Sequence, residues 1–398
     1  MADAQRFVIN IADEALGDLR RRLEQARFPN DFDNDGWRMG VNRDYLEGLV
    51  GYWRDGYDWR AEEARINAFD HFRVDIDGMP IHFIHQPGVG PDPQPLIITH
   101  GWPWTFWDYA QVIGPLTDPA AFGGVAEDAF SVVVPSLPGF GFSTPLTRPG
   151  MNFWRTADVW VSLMREVLGY DEFFAAGGDF GNLVTAQLGH KYSDHVRGLH
   201  ITGAIPLGLF SGVNPLAVGG ANWGFTPPPT PSENPHLTAP TVLRPRPATA
   251  HLIVNTMEPQ TISYAMHDSP VALLAWLLQR RKWWSDNDGN VEDSFSRDFL
   301  LTTTMIYWLT ESFSTSARYY AEAIDNPWQP SHAGEPVVRS PSGITFFDHD
   351  MTSQARFWVE DYYNLVFTNS RDRGGHFAAA ESPAAVVEDI RACFRGLR

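Results

Sequence analysis

The sequence predicts an open, mostly parallel α/β sheet that carries a helical insertion and is preceded by an α+β segment. Three observations carry this reading. Short, wholly apolar runs such as Leu96-Ile97-Ile98 and Val132-Val133-Val134 have the character of strands buried on both faces. They alternate with helical periodicity at the spacing of βα units. Between about Pro206 and Pro330 that rhythm gives way to Pro/Gly-rich loops and long apolar helical text, and then it resumes.

Taken in order, Leu16, Leu19 and Leu23 recur at helical spacing within residues 11–27, an amphipathic helix with Asp13 as its expected N-cap. A second helix is expected over Asp44–Arg54. Alternation around His71–Gln86, broken at Asp77-Gly78, predicts a β-hairpin. Strands at Leu96–Ile98 and Ser131–Val134 follow, then a helix over Thr156–Leu168, a strand at Phe173–Ala176 and a helix after Gly181. The segments NPLAVGG, FTPPPTPSENP and RPRP are read as loops, and SPVALLAWLLQRR and FLLTTTMIYWLTESF as lid helices. Strands at Gly343–Phe347 and Asn364–Thr368 and a helix over Pro383–Phe394 close the chain. The expected division is an N-terminal extension (1–95), a first part of the core (96–205), a helical lid (206–330) and a second part of the core (331–398). The sequence holds no internal repeat.

A chain of 398 residues that is 43% hydrophobic has ample material for a core, as one large domain or a few coupled ones. Its net charge of −18, from 30 Lys+Arg against 48 Asp+Glu, disfavours nucleic acid or an anionic membrane as partner, since phosphates are held by clustered cations. Cys393 is the sole cysteine, which excludes a disulfide framework and multi-thiolate metal sites; a small buried hydrophobe in the last helix is its expected role. No run approaches the ~18 apolar residues of a membrane span, and MADAQRFVINIADEAL does not read as a signal peptide. The expectation is a soluble, cytoplasmic protein. Its oligomeric state is left open, a homo-oligomer included.

The chemistry centres on Gly177-Gly178-Asp179-Phe180-Gly181, which follows an apolar strand and opens a helix. It fits the Gly-x-nucleophile-x-Gly turn of α/β-hydrolases, with aspartate as the central residue. An ionised carboxylate favoured by a helix N-terminus can attack without a base; the bland alternative is an Asp that caps the helix. Attack on an acyl carbon would give a labile anhydride, whereas attack on an sp³ carbon gives an alkyl ester that water can cleave. Strained three-membered ethers and alkyl halides are the matching electrophiles. His376, in Arg373-Gly374-Gly375-His376-Phe377, lies between the last apolar strand and the final helix, where such a fold carries the base that activates water. Either carboxylate of Asp348-His349-Asp350 could orient it. A metal on that tripeptide is disfavoured, because adjacent side chains cannot all converge on one ion and no further ligand cluster appears. The loop after the first buried strand, His100-Gly101-Trp102-Pro103, stands where one oxyanion-hole N–H arises, from Trp102; the residue after the nucleophile, Phe180, supplies the other.

HGWP, GGDFGN, DSPVALLAW, IYWLTESFSTSARYY and DRGGHFAAAE, with DEALGDLRRRLEQARFPN and HFRVDIDGMPIHFIH near the N-terminus, together resemble the α/β-hydrolase epoxide hydrolases of the microsomal and juvenile-hormone type. The resemblance covers essentially the whole chain. It implies cofactor-free hydrolysis of a small-molecule epoxide to a vicinal diol through an alkyl-enzyme ester; detoxification, carbon-source breakdown and a step in making a natural product would all use these residues. The family nucleophile falls on Asp179 and its base on His376. Counting along PSGITFFDHD puts the acid at Asp350 rather than Asp348. Two lid side chains, usually tyrosines, hold the epoxide oxygen in this family, because the departing alkoxide needs a proton donor. The second falls on Tyr320, not its neighbour Tyr319, which would lie about 100° around the helix. The first falls on His251, where the sequence departs from tyrosine; a histidine N–H can still donate, a polar lid residue with no such role is the alternative, and Tyr264 is a weaker substitute. Trp276, Trp283, Trp284 and Trp308 suggest an apolar pocket entrance, although helix packing explains them equally well.

Two other functions remain in view. A haloalkane or haloacid dehalogenase shares the Asp–His pair, but it typically has an N–H side chain directly after the nucleophile, where this chain has Phe180. An inactive relative should have lost Asp179, an acid or His376, and none is missing. No Gly-x-Ser-x-Gly elbow supports a serine esterase.

Overall fold

The computed structural model describes residues 3–34, 36–210, 249–354 and 358–398. The three expected loops NPLAVGG, FTPPPTPSENP and RPRP lie outside these residues.

The N-terminal part contains β1 (Gln5–Arg6), helices α1 (Asp13–Glu24), α2 (Arg43–Asp55) and α3 (Trp59–Ile66), and the hairpin β2 (His71–Ile76) and β3 (Met79–Gln86). Asp77 (φ 54°) and Gly78 (φ 75°) turn the hairpin. Positive φ at both central residues matches the right-handed twist of the flanking strands, and Asp75 Oδ1 accepts the Gly78 N–H at 2.8 Å. Asp13 does not cap α1. Ala12 occupies that position without a side-chain bond, and the Asp13 carboxylate is turned to Arg60 instead. Side-chain caps do open α2 and α3, from Asn42 and Asp58.

The core follows as β4 (Gln94–Thr99), α4 (Ala110–Thr117), β5 (Phe130–Pro135), α5 (Phe153–Val161), β6 (Phe173–Gly178), α6 (Phe180–Lys191) and β7 (Val196–Thr202). The apolar runs that predicted β4, β5 and β6 are buried, as parallel strands covered on both faces must be. Helix α5 starts on the Asn152 cap, three residues earlier than expected, and runs on as a wider π-turn over Ser162–Val167. Among the described residues, five α-helices lie between β7 and β8: α7 (Ala250–Met257), α8 (Pro259–Asp268), α9 (Pro270–Trp284), α10 (Arg297–Leu309) and α11 (Phe313–Asp325). Ser269 caps α9 with Pro270 at its first position. The chain ends with β8 (Val338–Phe347), α12 (Val359–Tyr362), β9 (Tyr363–Arg371), α13 (Ala378–Glu381) and α14 (Pro383–Arg395), which buries Cys393.

The strands form one sheet in the order β1-β2-β3-β5-β4-β6-β7-β8-β9. It is antiparallel as far as the β3–β5 pair and parallel thereafter. The chain therefore steps one way from β4 to β5 and the other way to β6. The crevice beyond the carboxyl ends of β4 and β6 is the switch point, where open α/β sheets bind their ligands. No helix among the described residues is long and apolar enough to cross a membrane.

Candidate active site

At that switch point β6 ends and α6 begins with Asp179, whose backbone is held at φ 55°, ψ −117°. Positive φ is strained for a residue with a Cβ and persists only where the surroundings enforce it. Close packing enforces it here. A Cβ on Gly181 would lie 1.9 Å from the Thr99 carbonyl oxygen of β4, and one on Gly177 would lie 2.4 Å from the Gly181 carbonyl oxygen. The Asp179 side chain makes no capping bond to its own helix. Its Oδ1 accepts the Trp102 N–H at 2.7 Å, and its Oδ2 lies 3.1 Å from His376 Nε2. The HGWP loop can come this close because Gly101 has no side chain; a Cβ there would stand 2.3 Å from Asp179 Oδ1. The Phe180 N–H is the first of α6, so it has no acceptor within the helix.

His376 Nδ1 lies 2.9 Å from Asp350 Oδ1. Asp350 also accepts the Thr352 N–H (3.0 Å) and hydroxyl (2.5 Å). Asp348 and His349 are exposed, with His349 Nδ1 3.3 Å from Asp286. Of the two candidate acids, only Asp350 meets His376. Burial alone would lower the pKa of His376, but the Asp350 and Asp179 carboxylates outweigh it and hold the imidazole at about 10. Burial would raise that of Asp350, yet His376 and the two Thr352 donors keep it below the ordinary carboxylate value.

Above these groups sit the inserted helices. Tyr320, on α11, is buried, with its ring 5.8 Å from Trp102 and 4.8 Å from Phe180. Burial, and then the Asp179 charge, push its phenol pKa well above 10, so it stays a donor. Tyr319 points elsewhere, packing on Phe140 and Phe153 and bonding Thr156 at 3.2 Å. His251, on α7, stacks on Trp102 (5.1 Å, 12°) and meets the Tyr320 and Trp284 rings edge-on at 5.5 and 4.8 Å. Tyr264 is 71% exposed and takes no part.

Several contacts had no sequence signal. Trp284 ends α9 with its carbonyl accepting the His376 N–H at 2.8 Å and its ring 5.2 Å from the imidazole. Glu381 accepts three backbone N–H groups, from Asp286, Gly375 and Phe377, at 2.6, 3.0 and 2.8 Å. The histidine loop is thus tied to the end of α9. Trp283 is 43% exposed and Trp276 and Trp308 are half-buried, so only Trp284 of the four tryptophans packs on the catalytic candidates. His100, buried and brought down to about 4, serves as a loop staple between the Gly101 carbonyl and the Leu137 N–H. No group of three or more His, Cys, Asp or Glu that could hold a metal occurs among the described residues.

Residues 4–109 match the family model described as epoxide hydrolase N terminus, and residues 94–227 match the alpha/beta hydrolase fold. Epoxide hydrolase 1 of Oryctolagus cuniculus is 33% identical over 405 residues, covering 96% of this chain and 87% of that protein. The crystal structure of juvenile hormone epoxide hydrolase from the silkworm Bombyx mori superposes with a TM-score of 0.80 at 25% identity, covering 100% of this chain and 95% of that one. The structure of Aspergillus niger epoxide hydrolase does so with 0.79 at 26% identity, covering 99% and 97%. With a strained aspartate elbow, a carboxylate-backed histidine and this span of likeness, the chain belongs to the epoxide hydrolases of the α/β-hydrolase fold.

Proposed function

We propose that the protein converts an epoxide and water to a vicinal diol through a covalent ester on Asp179. The observation that carries this is the division of labour on one carboxylate: Oδ1 is held by the Trp102 N–H while Oδ2 faces His376. Asp179 Oδ2 attacks an epoxide carbon, the C–O bond breaks, and the alkoxide takes a proton from Tyr320 or His251. Asp179 is now a neutral ester, so His376 loses one of the two carboxylates that raise its pKa, gives up its own proton to solvent and becomes able to accept another. Water gives that proton to Nε2 and adds to the ester carbonyl carbon. The resulting oxyanion lies against the Trp102 and Phe180 N–H groups. On collapse the remaining hydroxyl proton goes to the leaving alkoxide, the proton on His376 returns to the lid donor, and His376 is protonated again from solvent as Asp179 regains its charge. The segment 206–330 acts in this reading as a lid that excludes water.

The test is a single turnover in ¹⁸O-water with aryl, aliphatic and cyclic epoxides. Label should enter Asp179 while the first diol carries oxygen from the enzyme, and Asp179→Ala should form no diol. Label passing directly into the first diol would reject the ester. Halide displacement from a haloalkane has one observation in its favour, the buried indole N–H groups of Trp102 and Trp284 that have no acceptor. Halide release without diol would move the assignment there.

A further inference from the structure

His71, His82 and Ser136 form a closed chain outside the reacting groups. They stand at 2.9 Å spacings, His71 Nε2 ends on the Ile66 carbonyl at 2.8 Å, and no ring nitrogen is left over. A second chain, behind the nucleophile turn, is not closed. Burial would raise the pKa of the Asp389 carboxyl on α14, but Arg371 and Asn369 outweigh it and keep it below the ordinary value. Ionised, this carboxylate can only accept, so the Thr345 hydroxyl donates to it at 3.0 Å. With its one proton spent, the Thr345 oxygen must accept from His200 Nε2, also 3.0 Å away. His200 is buried on β7, and burial brings its pKa down to about 4, so at neutral pH the ring carries one proton, on Nε2. Its Nδ1 is left as a bare acceptor, and no described residue donates to it.

A donor in the same condition lines the same space. The indole of Trp104, in the loop after β4, is 1% exposed, and its Nε1–H has no acceptor. Trp104 and His200 line one cavity of about 10 Å³, together with Tyr109, Gly177, Thr202 and Ile390. One water needs roughly 10–15 Å³ and at least two polar partners. A bare donor and a bare acceptor supply the partners, whereas the Tyr109 hydroxyl is already spent on the Thr99 carbonyl at 3.1 Å. An ion suits the cavity less, since the indole N–H repels a cation and the His200 lone pair repels an anion. The cavity also backs the catalytic candidates. A Cβ on Gly178, one residue before Asp179, would stand 2.7 Å from Trp104 Cη2, and the Trp104 ring meets His376 edge-on at 5.7 Å. Whatever fixes the indole fixes the wall against which elbow and base rest.

We infer that one water molecule is bound in this cavity, accepting the Trp104 indole N–H and donating to His200 Nδ1, and that His200 and Trp104 are thereby positioning residues for His376. The chain then runs unbroken from the half-buried Arg371 through Asp389, Thr345, His200 and the water to the ring behind the base. A buried polar chain rigidifies its surroundings only when every member is satisfied, and the water completes this one.

The experiment is nuclear magnetic resonance on the full chain, labelled with ¹⁵N in tryptophan and histidine. In the parent, the Trp104 indole proton should show a rotating-frame Overhauser contact to water, which separates proximity from proton exchange; Trp104→Phe identifies the signal by its loss. The His200 nitrogens should report a neutral ring with its proton on Nε2. Absence of the water contact, or a His200 proton on Nδ1, would overturn the bound water, and neither measurement depends on a variant that folds poorly. His200→Leu removes the acceptor and should abolish the contact; a contact that survives in the folded variant would show that His200 does not hold the water. For the positioning role the readout is the downfield proton between His376 Nδ1 and Asp350, which reports the strength of that bond. Trp104→Phe keeps the ring and drops only the N–H, so this proton should shift upfield while the melting temperature stays near the parent's. Trp276→Phe, which removes a buried indole N–H in the lid, should leave it in place. A proton unmoved by Trp104→Phe, or moved equally by Trp276→Phe, would overturn the positioning role.

Discussion

Replacing Asp350 by asparagine keeps the shape of the site and removes one charge from a buried row of three ionisable groups. His376 stands at about 10 against an ordinary value near 6.5, because the Asp350 and Asp179 carboxylates outweigh its burial. Without Asp350 that histidine is a weaker and less well oriented base, a loss of roughly 10²-fold in the step that uses it so. In the proposed mechanism only ester hydrolysis uses it so, and ring opening draws on Asp179, Tyr320 and His251. Asp350→Asn should therefore split the reaction, with near-normal ester formation and diol release slowed about 10²-fold. Rapid mixing with excess epoxide, acid quench and intact-protein mass would read this directly: the variant should accumulate close to one equivalent of protein heavier by one substrate. Equal slowing of both halves without adduct would refute the reasoning. So would the same accumulation from Asp348→Asn, whose exposed side chain does not meet the histidine.

Tyr320→Phe should slow ring opening by about 10²-fold or more in the same quench assay, whereas Tyr319→Phe, one residue away but turned to Thr156, should leave it unchanged. If His251→Ala costs as much as Tyr320→Phe, the epoxide oxygen is shared between two donors; no cost at all would leave Tyr320 alone. Because the folded-state pKa of His376 is raised, its contribution to stability is full below pH ~6.5 and is lost as pH rises towards about 10. Its melting temperature should decline over that window, and His376→Gln should flatten the decline. Asp350 is shifted down, so its contribution is present above its unfolded value and is lost as acid protonates it. Arg281→Met would strand the Asp108 carboxylate, buried and bonded at 2.7 Å, and should cost about 3–5 kcal/mol in denaturant unfolding.

What could be read from the sequence was what local geometry dictates. The Asp179 elbow was legible because its flanking glycines answer to contacts with the adjoining strand. His376 was legible because strand–loop order limits where it can sit; the same order left Asp348 and Asp350 both open, and the resemblance to the family chose Asp350. Apolar runs announced β4, β5 and β6, but β7 was missed: Arg197, Gly198 and His200 break its pattern, and only its neighbours in the sheet make a strand of it. Helix α3, eight residues long, was too short to show a period. Asp13 was misread because a distant arginine, Arg60, competes for its carboxylate. The partners of the histidine loop, Trp284 and Glu381, come from separate stretches of chain, and no local pattern reports such a meeting.

That meeting limits how the enzyme can exchange its contents. The last turn of α9 is riveted to the histidine loop by the Trp284 carbonyl, the Asp286 carboxylate on the Gly374 N–H, and Glu381 bridging both segments. A lid that swung as one plate would pull the base out of line with Asp179 at every opening. In the proposed mechanism, substrate and diol then pass on the side away from this anchor, and each turnover begins with His376 still aimed at Asp179.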